Sequence, residues 1–517
     1  MANALTKNTN GDRVNRYGFL FRLMHWVLPI SGLVLVVTGL SLHAAARPDW
    51  SMFLGKVPGW MWKGRVQLYH TIAALVFVPA TIVALWYFLV RPVSRRMMHY
   101  ALIGSSVLLC VTGFFLTAPM GLPQVDTLVR APHMFVGLIL LPILLLWHLL
   151  EALTKYRGVL IESFNPFTRI SIISPIIFVI VFAASTFVSL NGSLVELPWR
   201  QMHVPRIDVV TTDPVEFADF ENLPWSEAEP FWMEMANGVG YEHGRTLVIL
   251  QALHDGENLY VRCEWDDPAE DRRYWPWKKT EDGWEHLMVS KNDAIVHYED
   301  KFSLLFPIEQ DWRFDTFGCA LQCHVDADYG WGYKGHPHKI DVWHWKASRT
   351  DPVGQCDDKY WKELNFDNKD IGRYGDPKEG GGYTKNLLDG KNHPAYLPND
   401  SVVIEKGTML ADKKTAEELL KYTPEKAAEF KVDEQIPGVL SSAFAGDRAD
   451  VPCASRHSMI EGKGRWVLYL RRKLDTDSDF DVKFEPGKSY AFGCASFDHA
   501  AKRHAYGLPV CWMVFEE

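Results

Sequence analysis

Apolar residues are distributed along this chain in two regimes. Up to about residue 190 they form continuous runs; beyond it they alternate with polar residues or scatter among Asp, Glu, Lys, Gly and Trp. Five runs, Phe19–Leu42, Leu68–Val90, Tyr100–Ala118, Pro132–Leu150 and Ile170–Leu190, match the roughly 20 residues a helix needs to cross a bilayer core. They predict five transmembrane helices. Arg13, Arg16 and Arg22 before or at the start of the first run, Arg91, Arg95 and Arg96 after the second, and Lys155, Arg157 and Arg169 after the fourth mark one side as cytoplasmic. Arg47, Lys56, Lys63 and Arg65 break that rule in an outer loop. The reading is an inner-membrane, multi-pass protein with a cytoplasmic N-terminus, and an odd number of spans sends the remainder of the chain to the periplasm. Ala44-Ala45-Ala46 resembles a signal-peptide cleavage site, but a histidine at position 25 and the length of the run fit a retained helix better.

Beyond the last run the pattern shortens to the period of strands. Thr246–Leu253 and Asn258–Trp265, joined through His254-Asp255-Gly256-Glu257, predict a hairpin. Arg465–Arg471, Ser489–Phe497 and Leu508–Phe515 predict further strands. Thr415–Tyr422 reads as a helix with Thr415 and Glu418 in capping-box spacing, Pro424 ends it, and a second short helix runs to Lys431. Lys369–Asn399, dense in Gly, Asp and Lys, reads as a long surface loop. The expected fold class is an α + β multidomain membrane protein: a five-helix bundle over 1–190, a linker at 191–205, and a β-sandwich-like domain over 206–517.

The net charge of −9 argues against a nucleic-acid partner, which needs a clustered positive field. Of the 8 cysteines, Cys110 lies in an apolar run and the others in the polar half. An extracytoplasmic location admits one or two disulfides there.

Ionisable side chains inside a bilayer are costly and point to function. His25 and His70 open the first two runs, and His133 and His148 stand at opposite ends of the fourth. The 15-residue interval between the last two places them roughly 22 Å apart and some 60° apart in azimuth, so one helix face can serve two sites. By depth, His25 pairs with His148 near the cytoplasmic surface and His70 with His133 near the outer one. Paired imidazoles on facing helices suit bis-histidine haem b at each level. Histidines hydrogen-bonded to backbone are the competing reading. His43 and His99, at helix ends, face headgroup water or substitute for one ligand.

Arg22-Leu23-Met24-His25-Trp26 followed by Thr38-Gly39-Leu40 resembles the start of the bacterial cytochrome b561 family, whose di-haem members include membrane subunits of formate dehydrogenases and hydrogenases. The likeness spans residues 15–190. It implies that the first and fourth helices share one haem, that the second and fourth share the other, and that quinone or quinol reacts near one membrane face.

In the polar half, Cys319-Ala320-Leu321-Gln322-Cys323-His324 sets two thiols beside a histidine, the logic of covalent haem attachment with His324 as proximal ligand. The spacing is one residue longer than C-x-x-C-H. A disulfide, a zinc site or free thiols are the rival readings, and the redox character of the membrane half favours haem c. In Asp341-Val342-Trp343-His344-Trp345-Lys346 a strand would turn both indoles to one face and His344 to the other, making His344 the distal candidate, with His336, His338, Met409, His457 and Met459 as alternatives.

Leu259–Asp267, Asp341–Ala347, Gly464-Arg465-Trp466 leading to Arg471–Leu474, and Tyr490–Gly493 resemble the haem-binding subunits of ethylbenzene dehydrogenase and related molybdenum enzymes, over about 205–515. Many such subunits hold haem b through Met and Lys, so the cysteine pair is a departure. Together the halves suggest an electron-transfer protein with two haems b, one haem c and quinone as diffusible substrate. Its partner would be a periplasmic redox protein or molybdenum enzyme, in a homo- or hetero-oligomer. A periplasmic haem reductase and a haem-bearing membrane anchor for a molybdenum enzyme are the alternatives.

Overall fold

The computed structural model describes residues 19–46, 63–90, 97–117, 129 and 131–155. From 200 onward it describes all but 211–213, 237, 242–243, 289–296, 312–313, 316–317, 320–337, 363–372, 461, 502–503 and 508–509. The described residues fall into two compact units, one taking most of the helices and the other the strands.

The helical unit contains α1 (Phe19–Ala46), α2 (Lys63–Val90) and α3 (Met97–Thr117), and α4 (Ala131–Lys155). Among the described residues two stretches, Ile72–Val90 and Ala131–Lys155, are long and apolar enough to cross a membrane, while Met24–Leu40 and Met97–Gly113 are shorter apolar stretches. The fifth expected span, 170–190, lies outside the described residues. Leu, Ile, Val and Trp side chains are exposed on all four helices, as at Leu33, Trp86, Val111 and Trp147. Such faces suit a hydrocarbon solvent. Within α4 one turn, Val136–Leu140, is π-helical. A π turn absorbs about one extra residue, so the interval from His133 to His148 behaves as about 14 regular steps and the two rings differ by about 40° instead of 60°.

The second unit is built on strands β1 (Gln201–Val204), β2 (Phe231–Ala236), β3 (Thr246–His254), β4 (Asn258–Asp266), β5 (Trp277–Thr280), β6 (Gly283–His286), β7 (Lys301–Pro307), β8 (Ile340–Lys346), β9 (Asp357–Trp361) and β10 (Arg373–Gly375). They are followed by β11 (Gly380–Lys385), β12 (Ile404–Glu405), β13 (Thr408–Leu410), β14 (Gln435–Ile436), β15 (Val439–Ala445), β16 (Cys453–Ile460), β17 (Lys463–Lys473), β18 (Ser489–Phe497), β19 (Ala505–Gly507) and β20 (Cys511–Phe515). The main sheet runs β10-β9-β8-β7-β18-β19-β2-β3-β4-β17-β16, with β20 pairing β18 and β1. Its two ends pack face to face. Trp265 of β4 stacks on Phe302 of β7 at 4.8 Å, and Trp345 of β8 meets Trp466 of β17 at 4.9 Å. Large aromatic surfaces of this kind supply most of the burial that holds such a core.

Local expectations are corrected in three places. Residues expected to form a surface loop contain β10 and β11, whose alternating backbone partners come from distant β9 and β15. The helix near 415 is capped by Asp412, whose carboxylate accepts the Thr415 N–H, and Thr415 itself lies inside it. It continues as a π turn, Ala416–Leu420, and the second helix is the short Pro424–Ala427, capped by Thr423. Among the described cysteines none is bridged, although the buried thiols of Cys356 and Cys453 hydrogen-bond to each other.

Candidate functional site

His25, His70, His99, His133 and His148 lie in the helical unit, and the structure brings them together in two groups, while His43 falls in the other unit. His25 on α1 and His148 on α4 have ring centroids 6.5 Å apart, a gap that two metal–imidazole bonds of about 2 Å can span. They line a cavity with Met24, Phe77, Phe88, Leu145 and a third histidine, His99 of α3. His99 lies 5.6 Å from His148. Sequence reasoning set His99 at a helix end facing headgroup water or, alternatively, as a replacement ligand; the fold turns it into the cavity.

In the second group two threonine hydroxyls fix the tautomer of His70 and His133. On α1 the Thr38 hydroxyl donates to the Val34 carbonyl at 2.6 Å and lies 2.8 Å from His70 Nδ1. On α3 the Thr112 hydroxyl donates to the Leu108 carbonyl at 2.7 Å and lies 2.8 Å from His133 Nδ1. A hydroxyl has one proton, so each threonine oxygen accepts from Nδ1–H. The proton is thereby held on Nδ1 and the lone pair lies on Nε2, the nitrogen through which such a tautomer can ligate a metal. The glycine after each threonine makes room: a Cβ on Gly39 would stand 3.5 Å from the His70 ring, and one on Gly113 3.3 Å from that of His133. Val37-Thr38-Gly39 and Val111-Thr112-Gly113 form a short repeat, the sequence signal by which these positions could have been found.

In the strand unit, β8 alternates as the sequence suggested. Trp343 and Trp345 enter the main core, and Ile340, Val342, His344 and Lys346 share the opposite face. That face is buried too. Cys319 packs there against Leu305, Ile340, Val342 and Ala491, and it lies so close over β18 that a Cβ on Gly493 would fall 2.5 Å from its own Cβ. Neighbouring positions are small: Ala495 pairs with Ser303, and Ser303 with His344. His344 stands two residues beyond Val342, about 7 Å along the strand. Cys323, His324 and His336 lie outside the described residues.

His344 is 2% exposed and stacks on Phe497. Its Nδ1 lies 2.9 Å from Arg373 Nη1. Arginine only donates, so Nδ1 accepts and the proton sits on Nε2, which has no hydrogen-bond partner among the described residues. This is the opposite tautomer to that of His70 and His133, and ligation through Nε2 would require Arg373 to release Nδ1. Burial, with Lys346, Arg373 and Lys301 nearby, holds the ring well below its usual pKa and therefore neutral. The cations themselves are buried. Burial draws Lys346 down to about 7 although it pairs with Asp357. Lys301 covers the Phe497 ring at 4.0 Å, and Arg349 pairs with Glu299. Of the distal alternatives, Met409 is buried in a separate cluster, Met459 is exposed, His338 pairs with Glu309, and His457 hydrogen-bonds the Asp267 carbonyl.

The sequence profile described as "Ethylbenzene dehydrogenase" matches residues 222–507, just over half of the chain. The chain belongs to the ethylbenzene dehydrogenase family. The family segment takes in β3, β4, β7, β8, β17 and β18, and so carries the buried face with Cys319 and His344. Among solved structures, a Bacteroides uniformis protein described as carbohydrate-binding aligns with 9% identity over 61% of this chain and 99% of its own, with a TM-score of 0.28. A family 9 carbohydrate-binding module from Caldicellulosiruptor kristjanssonii, in complex with glucose, aligns with 10% identity over 59% and 84%, with a TM-score of 0.22. Both likenesses are too slight to bear on this chain. No curated protein matches it.

Proposed function

We propose that this protein is a membrane-bound electron-transfer cytochrome linking the quinone pool to a redox partner across the inner membrane. The observation that supports the reading best is the matched pair of threonine hydroxyls that engage Nδ1 of His70 and of His133. Helices that merely buried these histidines would not need both rings in the ligand tautomer. In this reading His70 and His133 hold one haem b, His25 and His148 hold a second, and Cys319, Cys323 and His324 hold a haem c with His344 as distal ligand. Bound at these sites, haem supplies a one-electron couple. The residues of the chain position it: Thr38 and Thr112 set ring orientation, Phe77 and Phe88 exclude water around His25 and His148, and Lys301, Lys346 and Arg373 offer positive charge beside His344. The small residues Gly493, Ala495 and Ser303 leave a floor on which a planar group can lie. Family membership favours a partner of the molybdenum-enzyme class, for which the chain would act as haem-bearing subunit. The helical segment in turn fits a cytochrome b561-like domain.

Haem content is the direct test. A pyridine-haemochrome spectrum of the purified chain, taken before and after acid-acetone extraction, is expected to give two extractable haems and one that stays with the protein. Absence of extractable haem would remove the membrane sites; absence of retained haem would remove the covalent one. A finer check is Thr38→Val. It leaves helix α1 intact but takes away the acceptor of the His70 proton, and loss of such an outer partner weakens metal retention about 10- to 100-fold. Transfer of haem b to an acceptor apoprotein is expected to speed up for one of the two haems b only.

A further inference from the structure

At the edge of the main sheet, away from Cys319 and His344 by side-chain direction, four aspartates converge. Asp341 projects from β8 on the face opposite His344, Asp358 from β9, Asp376 follows β10, and Asp481 lies between β17 and β18. All are at most 4% exposed, and ligand atoms of Asp341, Asp358 and Asp481 lie within 4.8 Å of one another.

The hydrogen bonds at these groups divide each carboxylate in a regular way. Asp341 Oδ2 accepts from Val482 N at 3.1 Å, Asp358 Oδ1 from Lys359 N at 3.0 Å, and Asp481 Oδ2 from the Thr476 hydroxyl at 2.6 Å. The second oxygens of Asp358 and Asp481, Oδ2 and Oδ1, are buried without a hydrogen-bond partner among the described residues, and that of Asp341 is buried beside the Trp343 indole. Asp376 has no hydrogen-bond partner on either oxygen among the described residues, and it lies within electrostatic reach of the other three. Among the described residues the cation in contact with these groups is Arg472, whose Nη2 stands 3.2 Å from Asp481 and 3.6 Å from Asp341 while Nη1 is held by the Val482 carbonyl. Ionised, the four carboxylates would outnumber the one guanidinium that touches them among the described residues by three. Lys359 is turned to Asp357.

Buried carboxylates with bare oxygens cost several kcal/mol each unless they are protonated or bind a cation. Burial and mutual repulsion, only partly offset by Arg472 and Lys359, push Asp341 up to about 7 and Asp376 to about 9.

We propose that Asp341, Asp358, Asp376 and Asp481 form a calcium site that fastens the segment between β17 and β18 onto the β8–β9–β10 edge. Calcium accepts six to eight oxygen ligands in flexible geometry, whereas magnesium prefers to keep a shell of water, and a site walled by protein carboxylates favours the former. Three of the aspartates have one oxygen anchored by a hydrogen bond and the other turned inward, the disposition of preoriented ligands. Two other acidic groupings occur among the described residues: Asp447 and Asp450 adjoin Asp481 but are only half-buried, and Asp447 accepts from the Ser478 hydroxyl, while the third is taken up by its own partners. Asp271 and Asp498 pair with His499, and Asp300 accepts N–H groups from Asp271, His499 and Trp466.

The test uses the full chain in detergent, stripped with EGTA and then titrated with calcium chloride at pH 7. One calcium per chain by elemental analysis, a rise in the unfolding temperature of about 5 °C and release of protons on binding are expected. Terbium luminescence, sensitised by Trp343 beside the site, should rise and be displaced by calcium. Asp376→Asn is expected to lose the calcium-dependent rise, while Asp271→Asn in the third cluster retains it. Should Asp376→Asn fail to fold, the wild-type titration still decides. No bound calcium and no temperature shift in the wild-type chain would overturn the proposal, as would an equal shift with magnesium.

Discussion

His148→Ala is expected to cost the protein one haem b per chain, and His25→Ala to cost less. The asymmetry follows from geometry. His148 faces His25 at 6.5 Å and His99 at 5.6 Å across the same cavity. Removing His148 leaves no imidazole on α4 at that level, whereas removing His25 leaves His99 still facing His148. The His148 variant should fall from two extractable haems to one, with the α-band of the remaining haem unchanged. The His25 variant should keep part of the second haem with an altered potential. Loss of both haems in either variant would show that the two sites do not assemble independently, and an unaltered content in His148→Ala would remove His148 from the ligand set.

Replacing Cys319 and Cys323 together with alanine is expected to abolish haem that survives denaturing electrophoresis, while leaving both haems b in place. Cys319 is buried over Gly493 in a packed cluster, so alanine shortens a side chain without bringing a new polar group inside, and the fold should survive. Gly493→Val is the complementary change. It leaves both thiols present but drives Cβ atoms into the space of Cys319, and overpacking of this kind typically costs about 1–3 kcal/mol. A haem-staining gel of the two variants separates loss of the thiol from loss of its position. Retention of covalent haem in the double alanine variant would mean that attachment lies elsewhere.

Much of this could be read before folding. The apolar runs located α1 to α4 because a long continuous apolar run favours helix over strand, a preference written residue by residue. Strands β3, β4, β17 and β18 were equally legible from alternation, and His25, His70, His133 and His148 stood out because an ionisable group in such a run needs a reason. What sequence could not supply was partnership at long separation. That Thr38 fixes the proton of His70 and Thr112 that of His133 depends on helices packing at one register. The turning of His99 into the His25–His148 cavity depends on how α3 rotates about its axis, which a nearly uniform apolar surface does not encode. The tautomer of His344 was decided by Arg373, a residue expected in a loop and placed on β10 by pairing with β9. The four aspartates come from Asp341, Asp358, Asp376 and Asp481, separated by up to 140 positions, and only the sheet order brings their bare oxygens together. Hydropathy is a property of each residue where it stands; hydrogen bonds and buried charge belong to pairs, and the tertiary structure chooses the pairs.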